Sequence, residues 1–168
     1  GLTAAASERK WERFYDRFDL AKEPNEAFRF GYVVEYDPHD PSWTPRKRTA
    51  LGRFKHEAAE SVVAKDGRVV LYSGDDERFD YMYKFVTKGK FNPSVREANR
   101  ELLDEGTLYV AKFNDDGSGT WIPLIAGQGK LTAEAGFRTQ GDVCIKTRLA
   151  GDAVGATKMD RPEDFQVN

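Results

Sequence analysis

Apolar and polar positions alternate in several short runs of this chain, and such alternation predicts β-strands. The clearest case is a pair of runs rich in β-branched residues that flank Asp66-Gly67, a dipeptide typical of two-residue hairpin turns. A similar pair of runs surrounds the polar segment 114–119 and predicts a second hairpin. The runs predicted as strands are 28–36, 59–65, 68–73, 81–88, 107–113, 120–124 and 142–149.

Helical periodicity is found mainly outside these runs. Aromatic residues recur at helical spacing within 7–20, where Ser7 can serve as the N-cap. A second helix is predicted from Asn92 to Glu105, ended by Gly106, and a weak one over 133–139. The pattern therefore predicts a mainly β fold with helical insertions, in which antiparallel hairpins form a propeller or a sandwich.

Length and composition narrow the class of protein. The 168 residues predict one domain, 1–168, and 39% hydrophobic with 32% charged residues indicates a globular chain. A net charge of -2 gives no general attraction to nucleic acid or to an anionic membrane. No apolar run approaches the roughly 20 residues of a membrane span, and residues 1–168 contain no segment typical of a signal peptide. Cys144 is the only cysteine, which excludes an internal disulfide and predicts a small buried side chain.

The first hairpin suggests a candidate metal site. A two-residue turn places Lys65 opposite Arg68, and the same register brings Glu57 opposite Asp76 at the open end. Facing carboxylates are unfavourable unless a cation or a proton lies between them, and carboxylate oxygens suit calcium or ferric iron. Asp75 could replace Asp76 if the register carries a bulge. The alternative is that the strands separate before Glu57 and both acids are solvated.

A second candidate site is the segment Arg161-Pro162-Glu163 near the end of the sequence. Proline favours an extended residue before it, so the side chains of Arg161 and Glu163 are predicted to project to the same side. The arginine offers a planar fork of donors that matches a phosphate, and the glutamate offers a metal ligand. The alternative is a surface ion pair of little energetic value.

Several segments together resemble the PhoX-type calcium-dependent alkaline phosphatases, a secreted bacterial family. The resemblance spans about residues 28–165, and its most specific parts are the segment around His56-Glu57-Ala58 and the segment 155–163. The segments that carry it are 30–35, 51–59, 72–77, 83–86, 106–113 and 155–163.

The resemblance implies a β-propeller whose central channel carries a cluster of iron and calcium that hydrolyses phosphate monoesters. By motif matching, Glu57 and Glu163 correspond to metal ligands and Asp76 to a calcium ligand. Arg161 corresponds to the arginine that binds the phosphate and takes part in catalysis. Location in the periplasm or outside the cell is likewise implied.

The chain is short for this family, so we expect an internal or C-terminal piece of a larger enzyme that forms a partial β-propeller. Such a piece is expected to be inactive alone, and its open sheet edges predict self-association. Two alternatives stay open at this point. One is a non-catalytic calcium-binding or structural propeller module, and the other is a propeller lactonase or esterase.

Overall fold

The computed structural model describes residues 7–167 and divides the chain into two compact units, Gly1–Phe30 and Gly31–Asn168. The strands in the described residues are β1 (Val34–Glu35), β2 (Arg46–Lys47), β3 (Glu60–Val63), β4 (Arg68–Gly74), β5 (Arg78–Asp80), β6 (Met82–Lys90), β7 (Gly106–Phe113), β8 (Gly119–Pro123) and β9 (Met159–Asp160). The α-helices are α1 (Gln140–Ile145) and α2 (Thr147–Val154). Short 3-10 turns occupy Trp11–Arg13, Asp16–Phe18, Glu26–Arg29, Thr49–Leu51 and Arg96–Asn99. The prediction of a mainly β, antiparallel fold is confirmed, and the single-domain prediction for 1–168 stays a prediction.

A five-stranded antiparallel sheet with the order β3-β4-β6-β7-β8 forms the centre of the larger unit. One face carries Leu71, Phe85 and Leu108 as cross-strand neighbours, and all three are buried. The 3-10 turn Thr49–Leu51 and the two helices supply the opposing apolar residues, which include Leu51, Val143 and Ala150. The small sheets β1-β2 and β5-β9 lie outside this sheet order.

The helix predicted over 7–20 is wrong. Two 3-10 turns occupy this segment, because Lys10 has a left-handed backbone (φ 57°) and Tyr15 is extended between the turns. The aromatic residues contact one another instead of forming a helical stripe, and the rings of Trp11 and Phe18 lie 5.3 Å apart. Helical spacing alone therefore did not identify the conformation here.

Two further elements are much shorter in the structure than predicted. The strand predicted over 28–36 is reduced to β1, because Gly31 (φ 84°) turns the chain where its backbone meets that of Phe54. The helix predicted from Asn92 to Glu105 is a single 3-10 turn, and the side chain of Asn99 bonds to the backbone of Asn92. The segment 133–139, predicted as a weak helix, forms turns.

The strand predicted over 142–149 is also wrong, since this segment forms α1 and most of α2. A capping box starts α1: the Thr139 side chain accepts from the backbone N–H of Asp142, and the Asp142 carboxylate accepts from that of Thr139. The buried positions Val143, Thr147 and Ala150 follow helical spacing. Cys144 is buried in α1 as predicted, and burial raises the pKa of its thiol.

Helix α2 packs closely, through a glycine, on Tyr81, the residue that precedes β6. A Cβ on Gly151 would lie 2.7 Å from the ring of Tyr81, so no larger residue fits without movement. The hydroxyl of Tyr81 in turn donates a hydrogen bond to the carboxylate of Asp152 on α2. This contact fixes α2 beside the strand ends that carry the candidate site.

Two tyrosines of the core generate a paired prediction. Tyr81 and Tyr83 are both 1% exposed, but the Tyr83 hydroxyl has no hydrogen-bond partner within the described residues. A buried hydroxyl without a partner costs roughly 1–3 kcal/mol, so Tyr83→Phe is expected to raise the free energy of unfolding by about 1 kcal/mol. Tyr81→Phe is expected to lower it by about 1 kcal/mol, because it removes the bond to Asp152.

Urea unfolding of the two variants beside the unsubstituted chain measures both effects. Equal losses of stability in Tyr81→Phe and Tyr83→Phe would contradict the assignment of the unpartnered hydroxyl.

Candidate functional site

The base of the first hairpin and the tail segment lie against each other. A Cβ on Gly74 would lie 2.0 Å from the carbonyl oxygen of Pro162 and 2.7 Å from that of Glu163. Only glycine allows this approach of two backbones. The structure therefore brings the segment that carries Asp76 together with the segment that carries Arg161 and Glu163.

The predicted register of the hairpin is wrong by one residue. Val63 pairs with Val69 instead of Val70, because the turn closes with the N–H of Ala64 bonded to the carbonyl of Arg68. Gly67 takes a positive φ of 88° and adds one residue to the loop. A slip of one residue moves each side chain to the other face of a strand.

A second shift follows at the open end of the hairpin. His56 bridges to Asp75, and the N–H of Glu57 donates to the carbonyl of Gly74 at 3.2 Å. Glu57 therefore does not face Asp76, and the predicted pair of facing carboxylates is not formed. The roles of Glu57, Asp76 and Glu163 as metal ligands stay predictions that rest on the family resemblance.

Asp76 forms a forked ion pair with Arg161. The Nε and Nη2 atoms of Arg161 lie 2.8 and 3.0 Å from the two carboxylate oxygens of Asp76, and Nη2 lies 3.4 Å from Oε1 of Glu163. The Asp76 carboxylate accordingly raises the pKa of Arg161. One guanidinium thus contacts two of the three acids predicted as metal ligands.

Arg161 reaches this position through an unusual backbone. Its φ of 55° is left-handed, so the prediction of an extended residue before Pro162 is wrong. Phe79, in the strand that pairs with β9, is also left-handed (φ 66°), and the ladder carries a register shift between Arg78 and Asp80. These are two of the three left-handed non-glycine residues within 7–167, and left-handed residues of this kind cluster at functional sites.

Asp75 has a different environment from its neighbour Asp76. Its side chain is fully buried, and its two oxygens each lie 2.6 Å from nitrogens of Arg148. The Oδ1 atom also accepts from the N–H of Lys55 at 3.2 Å. Asp80 lies 3.6 Å from Arg148, and burial, followed by the charge of Asp75, raises the pKa of Asp80.

Arg148 is a residue of this region that the sequence did not predict, because a strand over 142–149 gives no reason for this arginine to lie beside Asp75. The available signal was the capping box of Thr139 and Asp142, which predicts that a helix begins there. Arg148 lies near the start of the second helix, next to the buried Thr147.

His56, which precedes Glu57, is held inside the larger unit. Its ring stacks on Phe54 with centroids 3.6 Å apart, Nδ1 lies 2.8 Å from Ser73 Oγ, and Nε2 lies 3.0 Å from the carbonyl of Gly52. Burial lowers the pKa of His56. The hydrogen bonds of both ring nitrogens fix the backbone from which Glu57 projects.

The donor atoms of the predicted metal ligands suit a hard cation, since Glu57, Asp76 and Glu163 all offer carboxylate oxygens. In the part of the chain that the structure describes, however, no three His, Cys, Asp or Glu side chains are arranged to hold a metal ion. The residues therefore fit calcium or iron in their chemistry but do not form a complete site.

Comparison with known proteins gives two matches. The family model described as alkaline phosphatase PhoX matches residues 4–168. The solved structure "Pseudomonas fluorescens PhoX in complex with vanadate, a transition state analogue" is similar, with a TM-score of 0.92 and 53% sequence identity. The match covers 97% of this chain and 30% of that chain. No curated protein matches this chain.

The left-handed backbone at Phe79 can be tested directly. Phe79 is 67% exposed, so its substitution removes little packing. A left-handed conformation costs a residue with a Cβ roughly 1–2 kcal/mol, and Phe79→Gly is therefore expected to be more stable than Phe79→Ala by about 1 kcal/mol. In regular backbone the order is reversed, with glycine less stable than alanine by roughly 0.5–1 kcal/mol. Urea unfolding of the two variants decides between these orders.

Proposed function

The chain belongs to the PhoX family of alkaline phosphatases, and on this premise we propose that it supplies part of the active site of a metal-dependent enzyme that hydrolyses phosphate monoesters. The similar structure from Pseudomonas fluorescens holds vanadate, which its title calls a transition state analogue. Vanadate resembles a phosphoryl group in charge and shape, so this supports a phosphate ester as the substrate.

The observation that carries the proposal is the forked pair of Arg161 and Asp76. The guanidinium lies at the junction of the hairpin base and the tail, and its two nitrogens meet two oxygens of a single acid at 2.8 and 3.0 Å. A phosphoryl group presents two oxygens to the same fork. We propose that Arg161 binds the non-bridging oxygens of the substrate and stabilises charge in the transition state.

Calcium and iron are proposed as the metals of the complete enzyme. Glu57, Asp76 and Glu163 would hold them together with ligands outside this chain, since the acids described here do not complete a site. A cation bound there would offset the negative charge of the phosphoryl oxygens. Release of Asp76 from Arg161 would free both groups, the carboxylate for a metal and the guanidinium for the substrate.

The chain spans about 30% of the Pseudomonas fluorescens chain that it matches. We propose that it forms part of a β-propeller, that it is inactive alone, and that its sheet edges β3 and β8 favour self-association when exposed. We further propose that the whole enzyme acts in the periplasm or outside the cell. Within residues 7–167 no helix is long and apolar enough to cross a membrane.

A chimera tests this proposal. The segment of Pseudomonas fluorescens PhoX that matches this chain is replaced by residues 7–167, which the 53% identity and the TM-score of 0.92 make feasible. The chimera is expected to hydrolyse an aryl phosphate. Arg161→Ala is expected to lower kcat/KM by about 10²–10³, the usual effect of removing a group that stabilises transition-state charge. Arg96→Ala, which removes a surface pair with Asp37, serves as the control and should keep the activity.

Glu57→Gln in the same chimera separates the alternatives. An active-site ligand predicts loss of both bound metal, measured by elemental analysis, and phosphatase activity. A non-catalytic calcium-binding module predicts lost metal in a chimera that had no activity to lose. A folded chimera that cleaves lactones or carboxyl esters but no phosphate ester would contradict the proposal and favour the lactonase or esterase alternative.

A further inference from the structure

The consecutive residues Asp75 and Asp76 reach two different segments of the chain. Asp75 is fully buried and meets the guanidinium of Arg148 on α2 at 2.6 Å through both oxygens. Asp76 is partly exposed and meets Arg161, which follows β9. One turn at the end of β4 is therefore held by a helix on one side and by the tail on the other.

The helix and the tail are parts of one continuous segment. The last residue of α2 is Val154, with Gly155 as the C-cap. Only four residues separate Val154 from Met159 at the start of β9. Strand β9 then pairs with β5, so that Arg78 lies opposite Asp160. Two contacts hold α2, that of Gly151 with Tyr81 and that of Arg148 with Asp75, and together they set the place from which this segment leaves.

The loop after β4 depends on the same carboxylate. The Oδ1 atom of Asp75 accepts from the N–H of Lys55, and the N–H of Asp76 donates to the carbonyl of Lys55 at 3.0 Å. The N–H of Asp75 bonds to the carbonyl of Tyr81 at 3.0 Å. The position of the Asp76 backbone is thus determined by bonds that surround the buried carboxylate of Asp75.

We propose that the ion pair between the buried Asp75 and Arg148 is the positioning element that holds Asp76 and Arg161 in register at the active site. The proposal rests on the proposed function for the identity of that site. Asp75 is accordingly an anchor rather than a metal ligand, because its carboxylate is fully buried between Arg148 and the N–H of Lys55, whereas that of Asp76 is partly exposed. The forked geometry requires arginine, since a lysine offers a single centre of charge.

The chain offers a matched control in Arg48. Its side chain is fully buried, whereas that of Arg148 is 36% exposed, and it likewise pairs with two acids, Glu35 and Asp104, at 2.6 Å. Arg148→Met leaves the buried Asp75 without its cation, and Arg48→Met removes the buried cation that Glu35 and Asp104 share, so both are expected to lower the urea midpoint. Of these two arginines, only Arg148 contacts the turn that carries Asp76.

Amide hydrogen exchange on the 168-residue chain measures the positioning without any need for activity. Arg148→Met is expected to accelerate exchange in 75–80 and 159–161 by about tenfold or more, relative to the central strands β6 and β7. Arg148→Lys should give an intermediate effect. Arg48→Met should leave both segments within about twofold of the unsubstituted chain and should act near β1 instead. Unchanged exchange in these segments for Arg148→Met, or equal acceleration by Arg48→Met, would overturn the proposal.

Vanadate inhibition of the chimera gives the second readout. Arg148→Met is expected to weaken inhibition by about tenfold, a coupling of ordinary size between neighbouring groups, whereas Arg48→Met should not. Equal inhibition in both variants would show a purely structural role and overturn the proposal. If the unsubstituted chimera is neither active nor inhibited, the proposed function fails, and hydrogen exchange still decides whether the pair holds the two segments together.

Discussion

The close approach of two backbones at Gly74 is the constraint on which the candidate site depends. At this point the last residue of β4 meets the carbonyl oxygens of Pro162 and Glu163, at distances that leave no space for a side chain. The carbonyl of Gly74 also accepts from the N–H of Glu57. Segments distant in sequence therefore meet at one glycine. Glu57, Asp76 and Glu163 lie on these segments, so the convergence of the backbones brings them into one region.

Convergence of acidic segments has an electrostatic cost, which basic side chains from separate elements offset. The turn after β4 contains Asp75, Asp76, Glu77 and Asp80 within six residues. Lys55 pairs with Glu77, Arg148 with Asp75 and Asp80, and Arg161 with Asp76. Burial and the neighbouring Asp75 still raise the pKa of Asp80, so compensation is incomplete there. Each of these basic side chains comes from a different part of the chain, so the negative charge of this segment is balanced only in the folded structure.

The sequence predicted much of the sheet but less of its geometry. Alternation located β6 and the hairpin of β7 and β8 within one or two residues, since these strands bury one face. The register of the first hairpin was missed because Asp66-Gly67 also fits a longer turn, in which Gly67 takes positive φ. Helices α1 and α2 were not predicted, because a short apolar run fits a strand as well as a buried helix. The capping box at Thr139 is the local feature that favours the helix.

At this site regular geometry and the family motifs selected the same residues, but regular geometry predicted the wrong arrangement of them. Facing positions in a regular hairpin selected Glu57 and Asp76, yet in the structure Glu57 bonds to Gly74, two residues before Asp76. An extended Arg161 was expected to project beside Glu163, yet a left-handed Arg161 comes within 3.4 Å of it. Regular strand geometry does not contain the bulges and positive φ angles that assemble this region, because tertiary contacts impose them. The motif resemblance selected the same residues without any assumption of regular geometry, and their roles as metal ligands and phosphate-binding arginine stay predictions.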